Sequence, residues 1–446
     1  MLRTNLASCL LLGGVIAASS ACGNVQDKPA IDAPTNADAM SQPDAATECS
    51  IGAQAMCDGP NLVTCDGQGN ITGTVTCVLG CESTGARCKE VDPSNGLASA
   101  LDESAGAGDL ILTGNATIDT DAGTIVDSTG AKTALTQTLS AGIPVPIFVV
   151  KARTITTGAV RVVGTKALAL VADGPITFDG NVSLDANGDV PGAGSITNQA
   201  ACKGGTSTAG TSDGYPGGGG GGFGSSGGKG GDAVGQIGGV GGGVVGNVEL
   251  VPLRGGCPGG EGQGGIPDTD PAYPDPGGGG GALQVVSNTS ITLGAGVFVS
   301  ANGAGGKTYS FATTCISFNP CGLGEGGGSG GAILLEAPIV SIDSTGGLVA
   351  NGGAGTCERM GPAAPGNLSS QPALGAACGG ETGKGGNGAA AATAAEPGGN
   401  GAGDDPVGGG GGGGVGRIRI NLPSGVQLQT AATISPAPSL GVVQGR

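Results

Sequence analysis

The chain is read as an all-β protein: a right-handed parallel β-helix, or solenoid, with long Gly-rich inserts, preceded by a small disulfide-rich N-terminal module. Two observations predict it. One pattern of about 20 residues recurs at Leu168–Gly188, Leu283–Gly303, Ile333–Gly352 and Ile418–Pro436. Within each copy the apolar residues alternate with a period of two, as on a strand with one buried face.

Alignment of the copies puts aliphatic residues in columns. Leu168, Leu283, Ile333 and Ile418 share the first, and Leu170, Val285, Leu335 and Ile420 the second. Ile176, Ile291, Val340 and Val426 form the third, Phe178, Leu293, Ile342 and Leu428 the fourth, and Leu184, Val299, Leu348 and Ile434 the fifth. The third copy needs a one-residue deletion near Ala337-Pro338. A single copy cannot bury such a face, whereas parallel stacking joins the columns into one core. An antiparallel sandwich also uses alternating strands; equal unit length and the recurring Ala-Asn-Gly at 186–188, 301–303 and 350–352 favour the solenoid over it. Leu110–Ile118 and Ile147–Val163 read as degenerate coils. About six coils at roughly 4.8 Å each give a stack of roughly 30 Å. The solenoid is assigned to residues 100–440.

Glycine supplies 99 of 446 residues, mostly in inserts at about 189–280, 304–330 and 353–414. Each insert leaves after the Ala-Asn-Gly turn and returns through a tract, Gly277–Gly281, Gly326–Gly331 or Gly408–Gly414, so all should emerge on one edge. Glycine runs carry high conformational entropy and nothing to bury, and the expectation is flexible surface loops. The alternative is ordered packing against the solenoid as extended, polyproline-like strands, for which the cysteines argue.

There are 14 cysteines. Apart from Cys9 and Cys22, two stand in each insert, and the expected disulfides are Cys202–Cys257, Cys315–Cys321 and Cys357–Cys378. Six more, Cys49, Cys57, Cys65, Cys77, Cys81 and Cys88, lie in a module at 48–90, too short to hold itself together without staples. Three disulfides are expected there among 15 connectivities, none of them assigned. Leu62–Cys65 and Ile71–Cys77 read as a hairpin across Asp66–Asn70. Zinc is disfavoured because the chain has no histidine and only Cys77 and Cys81 stand at ligand-like spacing. Disulfides imply an oxidising compartment.

The first 21 residues read as a lipoprotein signal peptide, with Arg3 ahead of an apolar Leu10–Ala18 too short to span a membrane. Ser19-Ser20-Ala21-Cys22 resembles a bacterial lipobox, although that pattern prefers Leu where Ser19 stands; the alternative is an ordinary signal peptide cleaved nearby. The resemblance implies lipidation of Cys22, a membrane anchor and, with Gly23 following, the outer membrane. Residues 22–47 read as a disordered tether. The stretch Cys57–Cys81 resembles the short cysteine-rich modules of uncharacterised myxobacterial surface lipoproteins, and with the leader and the Gly-interrupted repeat at Gly327–Gly353 most of the chain is similar to that group. Likeness to the mycobacterial PE-PGRS proteins is compositional only, since their helical head is missing. The resemblance implies exposure at the cell surface and names no activity.

No catalytic or cofactor-binding residue is assigned. Ala301–Thr308 fits a loose phosphate-loop pattern but runs into no helix start. Gly224–Gly228 and Gly327–Gly331 fit Gly-x-Ser-x-Gly, yet such a serine needs a base, normally histidine. Gly227–Val234 matches a single calcium nonapeptide, and such sites need tandem copies; Asp119, Asp121 and Asp127 are further weak candidates for Ca²⁺, and no cofactor is expected. Asp173, Asp179, Asp185, Glu336 and Asp343 read as outward, solvated acids. The net charge of −17 disfavours nucleic acid as partner. The expected function is that of a non-enzymatic, lipid-anchored cell-surface protein with a structural, adhesive or matrix-interaction role, with polysaccharide or other surface proteins as partners. The alternative is a carbohydrate-active parallel β-helix enzyme of lyase or hydrolase type using carboxylates.

Overall fold

The computed structural model describes residues 49–446 except 143, 211–213, 264–274, 308–322, 359–361, 379–381 and 404–405. The leader, Cys22, the tether, Cys315 and Cys321 lie outside the described residues.

The protein is mostly β, with parallel sheets, disulfides and little helix. One sheet holds, in order, Leu135–Leu139, Ile147–Ala152, Ala167–Ala172, Ala282–Ser287, Ala332–Glu336, Arg417–Leu422 and Ser439–Val442. Its first pair is antiparallel and every later pair parallel. In the second sheet the long strand Ile155–Val163 pairs on one side with Leu110–Asp119. On its other side it pairs with both Ile176–Phe178 and Val182–Ser183, because the turn Asp179–Asn181 breaks the next strand in two. The two strips then run on through Ser290–Leu293 and Ile339–Ile342, and through Phe298–Ser300, Gly347–Val349 and Thr433–Ser435.

Register follows the columns over most of their length. Leu168 pairs with Leu283, Leu283 with Ile333 and Ile333 with Ile418, and the Leu170, Val285, Leu335, Ile420 column runs beside it. These side chains meet Ile176, Phe178, Val182, Ile291, Leu293, Val299, Ile342 and Leu348 of the second sheet in one buried aliphatic cluster. The third copy's deletion falls between Glu336 and Ile339, as the register change from Val286↔Glu336 to Ser290↔Ile339 records.

Three columns need correction, the fifth in the first copy and the third and fourth in the last. The fifth begins at Val182, which pairs with Val299, so Leu184 lies beside Ala301. The first copy turns at Asp179–Asn181 with two residues fewer than the second, and this displaces its Ala186–Gly188 from the Ala-Asn-Gly of the later copies. Asp185, not Asn187, therefore stands beside Asn302 and accepts its N–H. In the last copy Val426 is 46 % exposed and Leu428 only partly buried, both outside any strand. Pro423 brings no N–H and Gly425, at φ 81°, turns the chain away from the sheet.

The strands of the first sheet are apolar on both faces. Val149, Ala169, Val171, Val286 and Leu334 point away from the inner cluster and are covered by Leu97, Leu101 of the short helix Ala98–Ser104, and by Phe223, Val245, Leu250 and Leu253 of the first insert. Near-continuous apolar runs such as Ala167–Ala172 are what a doubly covered strand requires.

The Gly-rich inserts are ordered in every segment described, which corrects the expectation of flexible loops and agrees with the polyproline-like alternative. In 217–222 the N–H groups of Gly217 and Gly220 bond to Gly231 and Gly228, those of Gly218 and Gly221 to Gly324 and Gly327, and those of Gly219 and Gly222 to Gly205 and Cys202. Every third N–H thus meets the same neighbour, the three-residue repeat of polyproline II, which makes no hydrogen bonds within itself. The carbonyls turn likewise, to the N–H groups of Gly239 and Gly242, of Gly411 and Gly414, and of Gly260. Gly408–Gly414 repeats the scheme, with N–H groups bonded to 215–221, to 396–399 and to 353–356. At Gly220 or Gly412 an added Cβ would lie well inside 3.0 Å of a backbone carbonyl oxygen. Backbones this close satisfy one another's polar groups and exclude side chains. The tracts also run without a break into the core: Gly281, Gly331 and Gly416 are bonded to one another's neighbourhood immediately before Ala282, Ala332 and Arg417 enter the first sheet.

The N-terminal module is a three-stranded antiparallel sheet, Ala55–Asp58, Asn61–Cys65 and Ile71–Thr76, with a ribbon of Cys81–Glu82 and Arg87–Cys88. Its disulfides are Cys49–Cys65, Cys57–Cys81 and Cys77–Cys88. The folded body extends past the assigned 100–440 to the last residue. Gln444–Gly445 pairs with Val91–Asp92, and Arg446 bonds to Glu90, Asp102 and the carbonyls of Val91 and Ala98.

Candidate functional site

The cysteines of the first and third inserts stand where the glycine helices need fastening. Cys202 is bonded to Cys257 and Cys357 to Cys378, the pairs expected from one pair per insert. Cys202, Cys257 and Cys357 are fully buried, and the first bridge packs with Phe223 against the first sheet.

The acids divide into two kinds. Glu336, expected to face solvent, is 1 % exposed. Because its strand is covered on both faces, it points into the seam beneath Ser94–Gly96 and accepts from Ser94 N and Oγ, Gln284 Nε2 and Asn421 Nδ2. Asn95 extends this network by donating to Gln284 Oε1 and to the Leu250 carbonyl, so it stitches the segment before the helix to the sheet and to the first insert. Asp185 is likewise drawn inward, accepting from Ser183 Oγ, Ser300 Oγ and, at 2.5 Å, Asn302 N. Burial raises its pKa, and those hydrogen bonds together with the charge of Arg161 only partly oppose the rise. Asn302 passes the pattern on to Asn351, and Asn351 to Ser435, making a polar ladder beside the aliphatic one.

The other acids hold turns. Asp343 accepts from Thr345 Oγ1 and N, which lowers its pKa, and Asp173 accepts from Asn288 Nδ2. For Asp179 the described bond is a backbone one, from its N–H to Thr157 O. Asp119 caps the N–H groups of Asp121 and Ala122, and Asp121 holds Thr165 and Lys166. Burial alone would raise Asp127, but the N–H of Thr113, the hydroxyl and N–H of Thr129 and the Lys132 ammonium hold it far below the usual carboxylate range. These three aspartates thus serve three separate turns, and among the described residues no group of three metal-ligating side chains converges.

The Gly-rich motif matches belong to the bundle. Gly303, Ala304 and Gly306 give their N–H groups to the carbonyls of Asn351, Gly278 and Ala354, so this loop offers those amides to backbone and not to phosphate. Lys307 forms an ion pair with Asp189. Ser329 is fully buried, with its Oγ between Gly222 and Cys257, and Ser225 Oγ accepts from Val415 N. In the nonapeptide match Asp232 is taken by Lys229 and by the N–H of Gly238.

What sequence reasoning did not single out is the outermost stretch of the first insert. Val234, Ile237 and Val240 are 57, 60 and 68 % exposed, and Val244 is 55 % exposed. Val234 stands in the turn Ala233–Gln236, and beyond it Ile237 and Val240 lie one turn apart, about 9.3 Å, with their carbonyls bonded to the N–H groups of Thr208 and Gly205. The signal was present as apolar residues three apart between glycines, but only a three-fold backbone gives that spacing a common face. Against protein-family models, curated proteins and solved structures, the chain finds no match.

Proposed function

We propose that the chain is a right-handed parallel β-solenoid with its glycine helices laid along one side, and that it works without catalysis as a lipid-anchored protein of the cell surface, in a structural, adhesive or matrix-binding role. The observation that carries this reading is the bundle itself: a hydrogen-bonded slab, clipped by disulfides, whose outer segment presents Val234, Ile237, Val240 and Val244 to solvent. Exposed aliphatic side chains carried on a hydrogen-bonded support are what an interaction surface requires. The carboxylates support the same reading, since they serve as staples of turns and seams. Membership of the myxobacterial-type surface lipoproteins, with outer-membrane attachment through Cys22, is part of the proposal.

The test is a binding screen of the folded chain against polysaccharides and cell-surface fractions, with turnover followed in the same samples. Retention that falls in Ile237→Asp and Val240→Asp supports the reading, and product formation overturns its non-catalytic part. Radiolabelled fatty acid incorporated in the producing bacterium and lost in Cys22→Ser tests the anchor.

A carbohydrate-active enzyme is the second reading, favoured by one observation. Asp185 has a raised pKa beside two serines, as a general acid requires. Polysaccharide cleavage abolished by Asp185→Asn would establish it.

A further inference from the structure

Two arginines meet at one corner of the first insert. Arg417 opens the strand Arg417–Leu422; its guanidinium lies over the Phe223 ring, 5.7 Å from the centroid, and donates Nη2 to the Val245 carbonyl at 3.2 Å. Arg254 donates Nη1 to Gln199 Oε1 at 3.2 Å and rests against the next residue, Gly246. Gly246 has φ 73°, and a Cβ there would lie 3.1 Å from Arg254 Nη2 and 3.5 Å from Phe223 Cε2. Both side chains therefore converge on Val245–Gly246 and on one aromatic ring.

This corner is short of acceptors. A guanidinium has five N–H donors and no acceptor. The Nε of Arg254 and the Nε of Arg417 are both buried and without a hydrogen-bond partner among the described residues. Burial lowers the pKa of each arginine; the charge of Arg254 lowers Arg417 further, and Glu249 is the acid that opposes this. Two neighbouring cations half withdrawn from water are costly unless an anion joins them. In a chain with 35 acidic and 18 basic residues, enough carboxylates existed to neutralise the pair from within.

We propose that Arg254 and Arg417 form a receptor for an oxyanion, a carboxylate or sulfate group, held between the two guanidiniums where they converge on Phe223 and Gly246. Paired guanidinium forks match such groups through parallel, charge-assisted hydrogen bonds. The group comes either as a free ion or as a substituent of an acidic polysaccharide. The site uses none of the exposed aliphatic side chains of the preceding subsection and does not depend on them.

The experiment titrates the folded chain with sodium sulfate, with a uronic-acid oligosaccharide, and with sodium chloride at matched ionic strength, following heat and the thermal midpoint. Saturable binding of sulfate or oligosaccharide beyond the chloride control is expected, weakened about tenfold, or ~1.4 kcal/mol, in Arg254→Gln and in Arg417→Gln. Arg419→Gln leaves it unchanged, because that guanidinium is committed to Asn421 and the Leu440 carbonyl. Sulfate alone binding identifies a free-ion site, and tighter oligosaccharide identifies the polymer. Action of both no greater than chloride, or retention of binding in both variants, overturns the proposal. Arginine side-chain NMR of the unsubstituted protein gives the same answer if a variant does not fold: the Nε–H resonances of Arg254 and Arg417 move with sulfate, or the site is absent.

Discussion

The two halves of each repeat pack by opposite means. Between the sheets, Leu170, Val285, Leu335 and Ile420 fill space with side chains, and the backbones stand a strand spacing apart. In the inserts, Gly217–Gly222 and Gly408–Gly414 fill space with backbone, each N–H bonded to one of three neighbouring segments in turn. The first region is injured by removing atoms and the second by adding them. Both regions pair their backbone amides, so glycine abundance is no measure of mobility. The entropy of a glycine run resists ordering, but a lattice that pairs every peptide group without a side chain in the way can oppose it.

The largest effect tests that contrast. Gly220→Ala puts a methyl group against the Gly412 carbonyl, and we expect the first insert to lose its fold, read as amide exchange throughout 200–260 and a steep fall in soluble yield. Gly108→Ala, where an added Cβ meets nothing within 4 Å, should change stability by under about 0.5 kcal/mol. Equal behaviour of the two would break the comparison.

Opening the Cys202–Cys257 bridge, which closes a separation of 55 residues, is expected to cost about 4 kcal/mol by loop entropy. In the double variant Cys202→Ala, Cys257→Ala the loss should show in denaturant titration and concentrate in the insert. Leu335→Ala removes a fully buried side chain from the aliphatic column and should cost about 2–5 kcal/mol, with the loss spread over both sheets. Exchange patterns that did not separate these two variants would mean that sheet and bundle unfold as one unit.

The smallest effects are electrostatic. Asp127 is held below its unfolded pKa, so its contribution is present above that value and lost as pH falls through the folded one. Asp127→Asn should therefore flatten the acid limb of the stability curve below about pH 4. Asp185 is shifted the other way, so its contribution is lost as pH rises through the raised value. Asp185→Asn should raise the thermal midpoint slightly at pH 7, with the gain vanishing in acid as the wild-type carboxyl takes up a proton.

Parallel register was readable wherever equal numbers of residues separated the apolar positions, as between Leu283 and Ile333. It failed at Leu184, because a turn shortened by two residues preserves the alternation and so leaves no mark in the pattern. Glu336 and Asp185 looked like solvated acids for a related reason. Alternation tells which face a residue takes, and what covers that face is a matter of another segment's path. The Arg254–Arg417 corner was illegible, since its members are 163 positions apart and meet only through Phe223 and Gly246.

Local pattern thus determined the strands and most of the columns, because alternation acts over neighbouring residues, and the placing of two cysteines in each insert gave the pairs found in the first and third. Tertiary structure alone decided whether the glycine tracts are loops or lattice. A glycine helix has no internal hydrogen bonds to declare itself; it exists only when neighbours on every side supply them.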